Sequence, residues 1–397
     1  MSVNPLAGER PDEPLRPWLL RSAVLGLIVA GAIVQIVMST YYLAVAHAPS
    51  PHGLPVGYVA TSANAAQMRA AVERGGQFSA RAYPSADKLT EAVKAKRIYG
   101  GIDVTSRPPT LYVASAAGTS ASNTLRTAFT AVAQQQLAQE VKKLVTSGQP
   151  VPAATVAQLT TPPAVTDVVP LPADDRTGAS IGLLVQALAI GATVASMGIG
   201  RIGRNTLPST LRGIGHTAVL LIYAAASAGA VLLAAHAFGV NPVGSSVRLF
   251  STFLLVSVAI TGSVAGVVAL VGQSGSLLGT ALFLFGVPIS GATILPEFMP
   301  TAARVFGQAL PTGAGATLVR DSLYFPSSST TTAVITLSLY AGVGLLLVLV
   351  TNALANRSQR DHLLEIAHHD GPPDQEPDGQ SRPDAPPHPF EGPVPTR

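Results

Sequence analysis

Apolar residues are grouped into six long runs, which charged, proline-rich or glycine-rich segments separate. A bilayer core about 30 Å thick needs about 20 apolar residues in helical form. Each run is close to that length, so the pattern predicts six transmembrane helices. The fifth run is interrupted near its far end by Gly286, Pro288 and Gly291. The runs cover approximately Trp18–Ala46, Gly178–Ile199, Ile214–Phe238, Leu249–Gly272, Ser276–Ile294 and Thr332–Ala355.

Arginine placement predicts the orientation, because loops rich in Lys and Arg stay in the cytoplasm. The protein is therefore expected in the cell membrane, with both termini in the cytoplasm and residues 47–176 outside. The first helix is expected to be a retained anchor. Small residues at Ala44–Ala46 and Ala46–Ala48 leave cleavage by signal peptidase as the alternative. The arginines on the cytoplasmic side are Arg10, Arg16, Arg21, Arg201, Arg204, Arg212, Arg357 and Arg360.

Residues 47–147 alternate between strand-like and helix-like patterns. Strands are predicted near 56–60, 78–83, 99–104 and 110–114, and helices near 64–74, 85–96 and 120–145. This order predicts an α/β domain outside the membrane, with helices packed on a small sheet. Residues 148–176 contain several prolines and few large apolar side chains, so they are expected to be a linker.

The remaining boundaries follow from these assignments. Residues 1–17 are the expected cytoplasmic N-terminus, and residues 177–356 form a five-helix transmembrane domain with short capping helices at 292–325. Residues 357–397 are rich in proline and acidic residues, so a disordered cytoplasmic tail is expected. The fold class is thus a polytopic α-helical membrane protein with an inserted α/β extracytoplasmic domain.

Composition agrees with a membrane protein and narrows its chemistry. The chain is 48% hydrophobic and only 12% charged, with a mean hydropathy of +0.39 and no cysteine. A soluble domain usually carries about 25% charged residues. No catalytic constellation, metal-ligand spacing or basic aromatic cluster is present, so we expect a protein that is not an enzyme, needs no cofactor and binds no nucleic acid. Membrane lipid is its expected surrounding.

The predicted helices also lack groups that could couple transport to an ion gradient. None of them contains Asp, Glu or Lys, and the chain has no phosphate-binding loop of the G-x-x-x-x-G-K-[ST] type. Ion-coupled carriers need ionisable groups at membrane depth. Energy for any uphill transport must then come from another subunit. Gly262-x-x-x-Gly266 permits close helix packing, either between two chains or within one.

The most informative segment is residues 286–325, which begins within the far end of the fifth run. It contains Pro288, Ser290, Gly291, Pro296, Leu310, Pro311 and Arg320. Proline and glycine here predict a broken helix, followed by two short helices that cap the outer side. A proline-rich external loop is the alternative.

This segment resembles the region between the fifth and sixth helices of ABC type-2 permeases. The overall plan is similar to the subgroup with a large external domain after the first helix, which includes phage-infection-protein-like membrane proteins. Two short stretches, Tyr83-Pro84-Ser85 and Tyr99–Val104, are similar to sequence motifs of that external domain.

The resemblance implies the permease-like subunit of a bacterial efflux transporter. Such a subunit forms a homodimer or heterodimer and is powered by a separate cytoplasmic ATPase. The loop carrying Arg201, Arg204 and Arg212 would contact the ATPase, although these arginines serve equally well as topology anchors. A hydrophobic or amphipathic substrate is expected. The alternative is a non-transporting envelope protein whose external domain binds a partner or surface ligand.

Overall fold

The chain combines a bundle of apolar helices with one α/β domain. The computed structural model describes residues 17–369 except 48, 107, 149, 154–156, 158–162 and 200–208. Five of the described helices are long and apolar enough to cross a membrane, which makes the protein a polytopic helical membrane protein. Their apolar stretches are Leu25–Ala46, Ser180–Gly198, Gly213–Ala237, Ser246–Val271 and Thr331–Leu354.

The helices of the bundle are numbered along the chain. The first, α1 (Pro17–Ala46), precedes the α/β domain. After that domain come α5 (Ser180–Ile199), α6 (Ser209–Ala237), α7 (Ser246–Val271), α8 (Leu277–Ala281), α9 (Thr301–Ala309), α10 (Pro311–Tyr324) and α11 (Thr331–His369). Helix α7 is the centre of the bundle, because 56% of its apolar stretch is buried against 6% for α1.

Helices α7 and α11 approach each other through glycine. A Cβ atom at Gly344 would overlap the backbone of Gly262, and one at Gly266 would lie 2.7 Å from the carbonyl oxygen of Gly344. Close backbone approach of this kind is what small residues permit between apolar helices. The Gly262-x-x-x-Gly266 pair is therefore used within the chain. Because Gly262 faces Ala341 and Gly266 faces Gly344, the two helices run in the same direction.

Two consecutive long helices that run in the same direction require a return segment between them. We define the return segment as residues 272–325. It begins with a 3₁₀ turn at Gly272–Ser276 and continues through α8, and this first helical stretch ends in a π turn at Leu282–Gly286. The segment runs antiparallel to α5, since Gly279 packs on Thr193 and Thr293 packs on Gly182.

The fifth predicted transmembrane helix, Ser276–Ile294, is therefore corrected. The apolar helix of the return segment covers only Ser274–Gly286, which is shorter than a full span. Pro288 lacks a backbone donor, and Gly291 takes φ +83°, a conformation that an α-helix cannot contain. The break falls at the residues predicted from the sequence. Its effect is larger than predicted, because the helix ends before it is long enough to cross the membrane.

Helix α1 touches the bundle mainly at this break. The Tyr41 hydroxyl donates to the carbonyl oxygen of Phe285, and the Tyr42 hydroxyl donates to that of Leu284 at 3.2 Å. Both acceptors lie in the π turn. A π turn and the chain break after it leave carbonyl oxygens outside the regular α-helical ladder, so they are available to side-chain donors.

The α/β domain contains a five-stranded sheet of order β2-β1-β3-β4-β5. Strand β1 pairs parallel with β2 and with β3, β3 pairs antiparallel with β4, and β4 pairs parallel with β5. The elements are β1 (Leu54–Val59), α2 (Ser62–Glu73), β2 (Phe78–Ala82), α3 (Ala86–Lys94), β3 (Gly100–Asp103), β4 (Thr110–Val113), α4 (Thr119–Thr146) and β5 (Ala164–Asp167).

The predicted helices and strands of this domain agree with the structure to within a few residues. Ser85 caps α3 by accepting a hydrogen bond from the Lys88 amide. Fully buried apolar side chains from the strands and from α2, α3 and α4 form the core, including Leu54, Met68, Leu89, Ile102, Leu111 and Phe129.

The predicted linker is wrong for part of its length, because residues 164–167 form the edge strand β5. Its register places Leu111 beside Val165 and Val113 beside Asp167. The segment Val165–Val169 is rich in β-branched residues, which favour strands, and Val169 is buried. The prolines on both sides of this short stretch favoured the prediction of a linker.

The predicted tail also begins too early. Helix α11 continues to His369, although the tail was expected to start at residue 357. Residues 357–369 contain neither proline nor glycine, and the first helix-breaking pair is Gly371-Pro372. Residues 1–16 and 370–397 lie outside the described part of the chain.

Candidate functional site

The α/β domain rests directly on the return segment. The His52 amide donates to the Glu297 carbonyl oxygen at 2.8 Å. Gly118, just before α4, packs on Leu295 so closely that a Cβ atom would lie 2.6 Å from a Leu295 methyl carbon. Leu295 is buried. The domain is thus packed against the membrane helices rather than only tethered to them.

A buried ion pair links the two parts. The Lys96 ammonium lies 2.5 Å from a carboxylate oxygen of Asp321 in α10, and the two side chains are 12% and 4% exposed. We call this pair the latch. The ammonium also lies 5.9 Å from the centre of the Phe325 ring. Removing one partner of a buried ion pair typically costs about 3–5 kcal/mol, because the other charge stays buried without compensation.

Backbone geometry at the end of α3 aims Lys96 at its partner. The Lys96 amide donates to the Val93 carbonyl oxygen, and the Arg97 amide donates to that of Ala92. This is the Schellman arrangement, whose left-handed position is usually glycine. Lys96 occupies that position with φ 53° and is the only described residue other than glycine with positive φ. A lysine held in this strained conformation indicates that its side chain is needed for the contact with Asp321.

Further polar groups are buried around the latch. Burial raises the pKa of the Tyr99 hydroxyl well above its usual range, and the neighbouring Glu297 carboxylate adds to this rise. Burial lowers the pKa of Lys96, whereas the Asp321 carboxylate opposes that fall. Burial also lowers the pKa of the Arg320 guanidinium. The interface thus holds two cations and two carboxylates with little contact with solvent.

Arg320 holds the broken backbone of the return segment. Its Nη2 donates to the carbonyl oxygens of Gly291 at 2.8 Å and Ala292 at 3.0 Å. The side chain of Gln308 donates to the Ser290 carbonyl oxygen at 2.8 Å. These donors replace the helical partners that the break removed, as buried backbone carbonyl groups require.

The residues that carried the resemblance come together here. A Cβ atom at Gly291 would lie 2.7 Å from Pro296, so only glycine fits both the turn and this contact. Ser290 Oγ donates to the Val287 carbonyl oxygen, one residue before Pro288. Pro296 and Pro311 each begin a helical element, and Leu310 packs on an apolar cluster with Ile289 and Met299.

The predicted ATPase-contact loop is not part of this site. Arg201 and Arg204 lie outside the described residues, and Arg212 lies in α6 with its side chain undescribed. Sequence reasoning missed Lys96, Glu297 and Asp321. Two signals could have found them: Lys96 stands where a helix end favours glycine, and Glu297 is the lone acidic residue between Pro296 and Pro300.

A cavity of about 380 Å³ lies between the α/β domain and the return segment. Its lining includes the latch, Tyr99, Glu297, Arg304 and Arg320. Among the described residues, no cluster of three or more His, Cys, Asp or Glu side chains could hold a metal ion. The site therefore offers charged and hydrogen-bonding groups at a domain interface. No family model, curated protein or solved structure matches the chain.

The backbone at Lys96 supports a prediction that separates conformation from charge. Lys96→Gly and Lys96→Ala both remove the latch, but glycine accepts positive φ without steric cost. We expect Lys96→Gly to be more stable than Lys96→Ala by about 1 kcal/mol. Thermal unfolding of the full chain in detergent measures the difference.

Lys94 gives the matched control, since it is exposed and lies in the last turn of α3. There the order should reverse, with Lys94→Ala more stable than Lys94→Gly by up to about 1 kcal/mol. The same order at both positions would contradict the left-handed conformation of Lys96.

Proposed function

We propose that this chain is the permease-like subunit of an ABC type-2 exporter in a bacterial cell membrane. It would move a hydrophobic or amphipathic substrate out of the cell, powered by a separate ATPase subunit. Both termini would be cytoplasmic and the α/β domain would lie outside. A homodimer or heterodimer would form the working permease core.

The latch is the observation that carries this proposal. A protein that only anchors an external domain has no need for a buried ion pair between that domain and a broken membrane segment. In a transporter such a connection would let a rearrangement of the membrane helices move the external domain, since rigid-body rotation of a domain about an interface is a common switching motion. The latch joins the α/β domain to α10 through Asp321, and the preceding residue, Arg320, holds the break at Gly291.

The apolar spans support the need for an outside energy source. Arg248 is the one Asp, Glu, Lys or Arg residue within the five long apolar stretches. It lies near the start of α7 and donates to the Pro326 carbonyl oxygen at 2.7 Å. Hence these stretches offer no carboxylate or amine that could carry a coupling proton or sodium ion.

The test is purification of the tagged chain from its native membrane in mild detergent, followed by mass spectrometry of the proteins recovered with it. We expect an ATPase subunit in stoichiometric amount. Changing Arg201, Arg204 and Arg212 to alanine together should remove it. The matched control changes Arg74 and Arg81, two exposed arginines of the α/β domain, and should retain it.

Recovery of the chain without an ATPase would reject the exporter proposal. It would favour the envelope protein whose α/β domain binds a partner or surface ligand. Retention of the ATPase by the triple variant would instead place the contact elsewhere than the loop 201–212.

A further inference from the structure

The cavity at the domain interface has an excess of positive charge. Four cationic side chains line it, namely Lys96, Arg97, Arg304 and Arg320, against the two carboxylates of Glu297 and Asp321. Lys96 is already paired with Asp321. The remaining cations outnumber the one remaining carboxylate, so the cavity favours an anionic occupant.

Arg320 is the strongest pointer to a ligand. Its side chain is 4% exposed, and no carboxylate forms an ion pair with it among the residues that the structure describes. Nη2 donates to backbone carbonyls, but the buried Nε has no hydrogen-bond partner within the described part of the chain. A buried cation without a direct counterion is costly, and an anion bound beside it would lower that cost.

The shape suits a small polar group that enters from outside. Tyr99, Arg320 and Asp321 are buried, whereas Arg97 and Ser329 are exposed and Arg304 is half-buried. The buried residues therefore form the floor and the others form the rim. A volume of about 380 Å³ lies within the usual range for small-molecule sites, about 300–1,000 Å³.

We infer that this cavity binds a phosphate-type oxyanion, with Arg320 at its floor and Arg97 and Arg304 at its rim. Guanidinium groups are well suited to phosphate because their donors match its oxygens. Such a group can come from a soluble phosphate ester or from the headgroup of a phospholipid. The inference goes beyond the exporter proposal, since an anchored envelope protein could use the same site.

The absence of cysteine permits a site-specific test on the full chain. Ser329→Cys places a single thiol at the rim, where an environment-sensitive fluorophore reports occupancy. The labelled protein in detergent is titrated with inorganic phosphate, glycerol 3-phosphate and a short-chain phosphatidylglycerol. A label at Ser62→Cys, exposed at the start of α2 and not lining the cavity, controls for effects elsewhere.

We expect a saturable fluorescence change at position 329 and none at position 62. The change Arg97→Gln with Arg304→Gln should weaken binding at least about tenfold, because two charged contacts are lost. Arg81→Gln, an exposed arginine of β2, is the matched control and should bind normally. Both rim arginines retain solvent contact, so their loss should not unfold the chain.

The three titrants separate the sources. A response to inorganic phosphate or glycerol 3-phosphate identifies a soluble phosphate group, and a response to phosphatidylglycerol alone identifies a lipid headgroup. No saturable response to any of them, or equal affinity in the rim variant and the control, would overturn the inference.

Discussion

Replacing Gly344 by leucine is expected to abolish the folded bundle. The Cβ of any larger residue at this position overlaps the backbone of Gly262 in α7, and backbone cannot move aside as a flexible side chain can. Helices α7 and α11 would have to separate along α7, the most buried of the five long apolar helices. Overpacking usually costs about 1–3 kcal/mol, and a backbone clash between two central helices should exceed that range.

Gly342→Leu is the matched control on the same helix. A Cβ atom at Gly342 would meet nothing within 4 Å, so the added side chain should be accepted by lipid or detergent. Size-exclusion profiles and thermal unfolding in detergent compare the two variants, and Gly344→Ala is expected between Gly344→Leu and the wild type. Equal behaviour of Gly344→Leu and Gly342→Leu would show that α7 and α11 do not touch at this point.

Breaking the latch on one side is expected to cost more than removing it altogether. Lys96→Met leaves the Asp321 carboxylate buried alone, and Asp321→Asn leaves the Lys96 ammonium buried alone. Each should lose about 3–5 kcal/mol, and the double variant should recover much of that loss because no buried charge remains. Thermal unfolding of the four proteins in detergent provides the cycle, with exposed Lys94→Met as the control.

The dependence on pH gives a second readout for Asp321→Asn. Burial lowers the pKa of Lys96 in the folded chain, and Asp321 opposes that shift. Without Asp321 the folded pKa falls further, while the unfolded value stays near about 10.4. Between the two values the unfolded chain binds more protons, so stability rises with pH.

As pH rises toward the unfolded value of about 10.4, the stability of Asp321→Asn should therefore rise more steeply than that of the wild type. Additive losses in the cycle, together with parallel pH profiles, would show that the ion pair does not hold the α/β domain to the return segment.

The latch gives the exporter proposal a concrete element to test. It connects α3 of the α/β domain with α10, and Arg320 connects α10 with the break at Gly291. Tyr41 and Tyr42 of α1 hold the other end of the same break through Phe285 and Leu284. Helix α1 and the α/β domain thus both meet the return segment at its irregular backbone.

The sequence alone determined the membrane character and the order of elements in the α/β domain. Apolar runs of about 20 residues have few alternatives to membrane helices, and Ser85 signalled a helix start that the structure confirms. The break at Pro288 and Gly291 and the two short helices after it were also predicted, because proline and glycine act on their own local backbone.

Only the tertiary structure decided how far the break shortens the fifth helix, that β5 belongs to the sheet, and that Gly262 packs within the chain. It alone brought Lys96 to Asp321, which lies 225 positions away in sequence. A buried ion pair has no local pattern, since each partner alone resembles an ordinary surface charge. The two charges become a buried pair only when the fold packs two distant elements together and excludes water from between them.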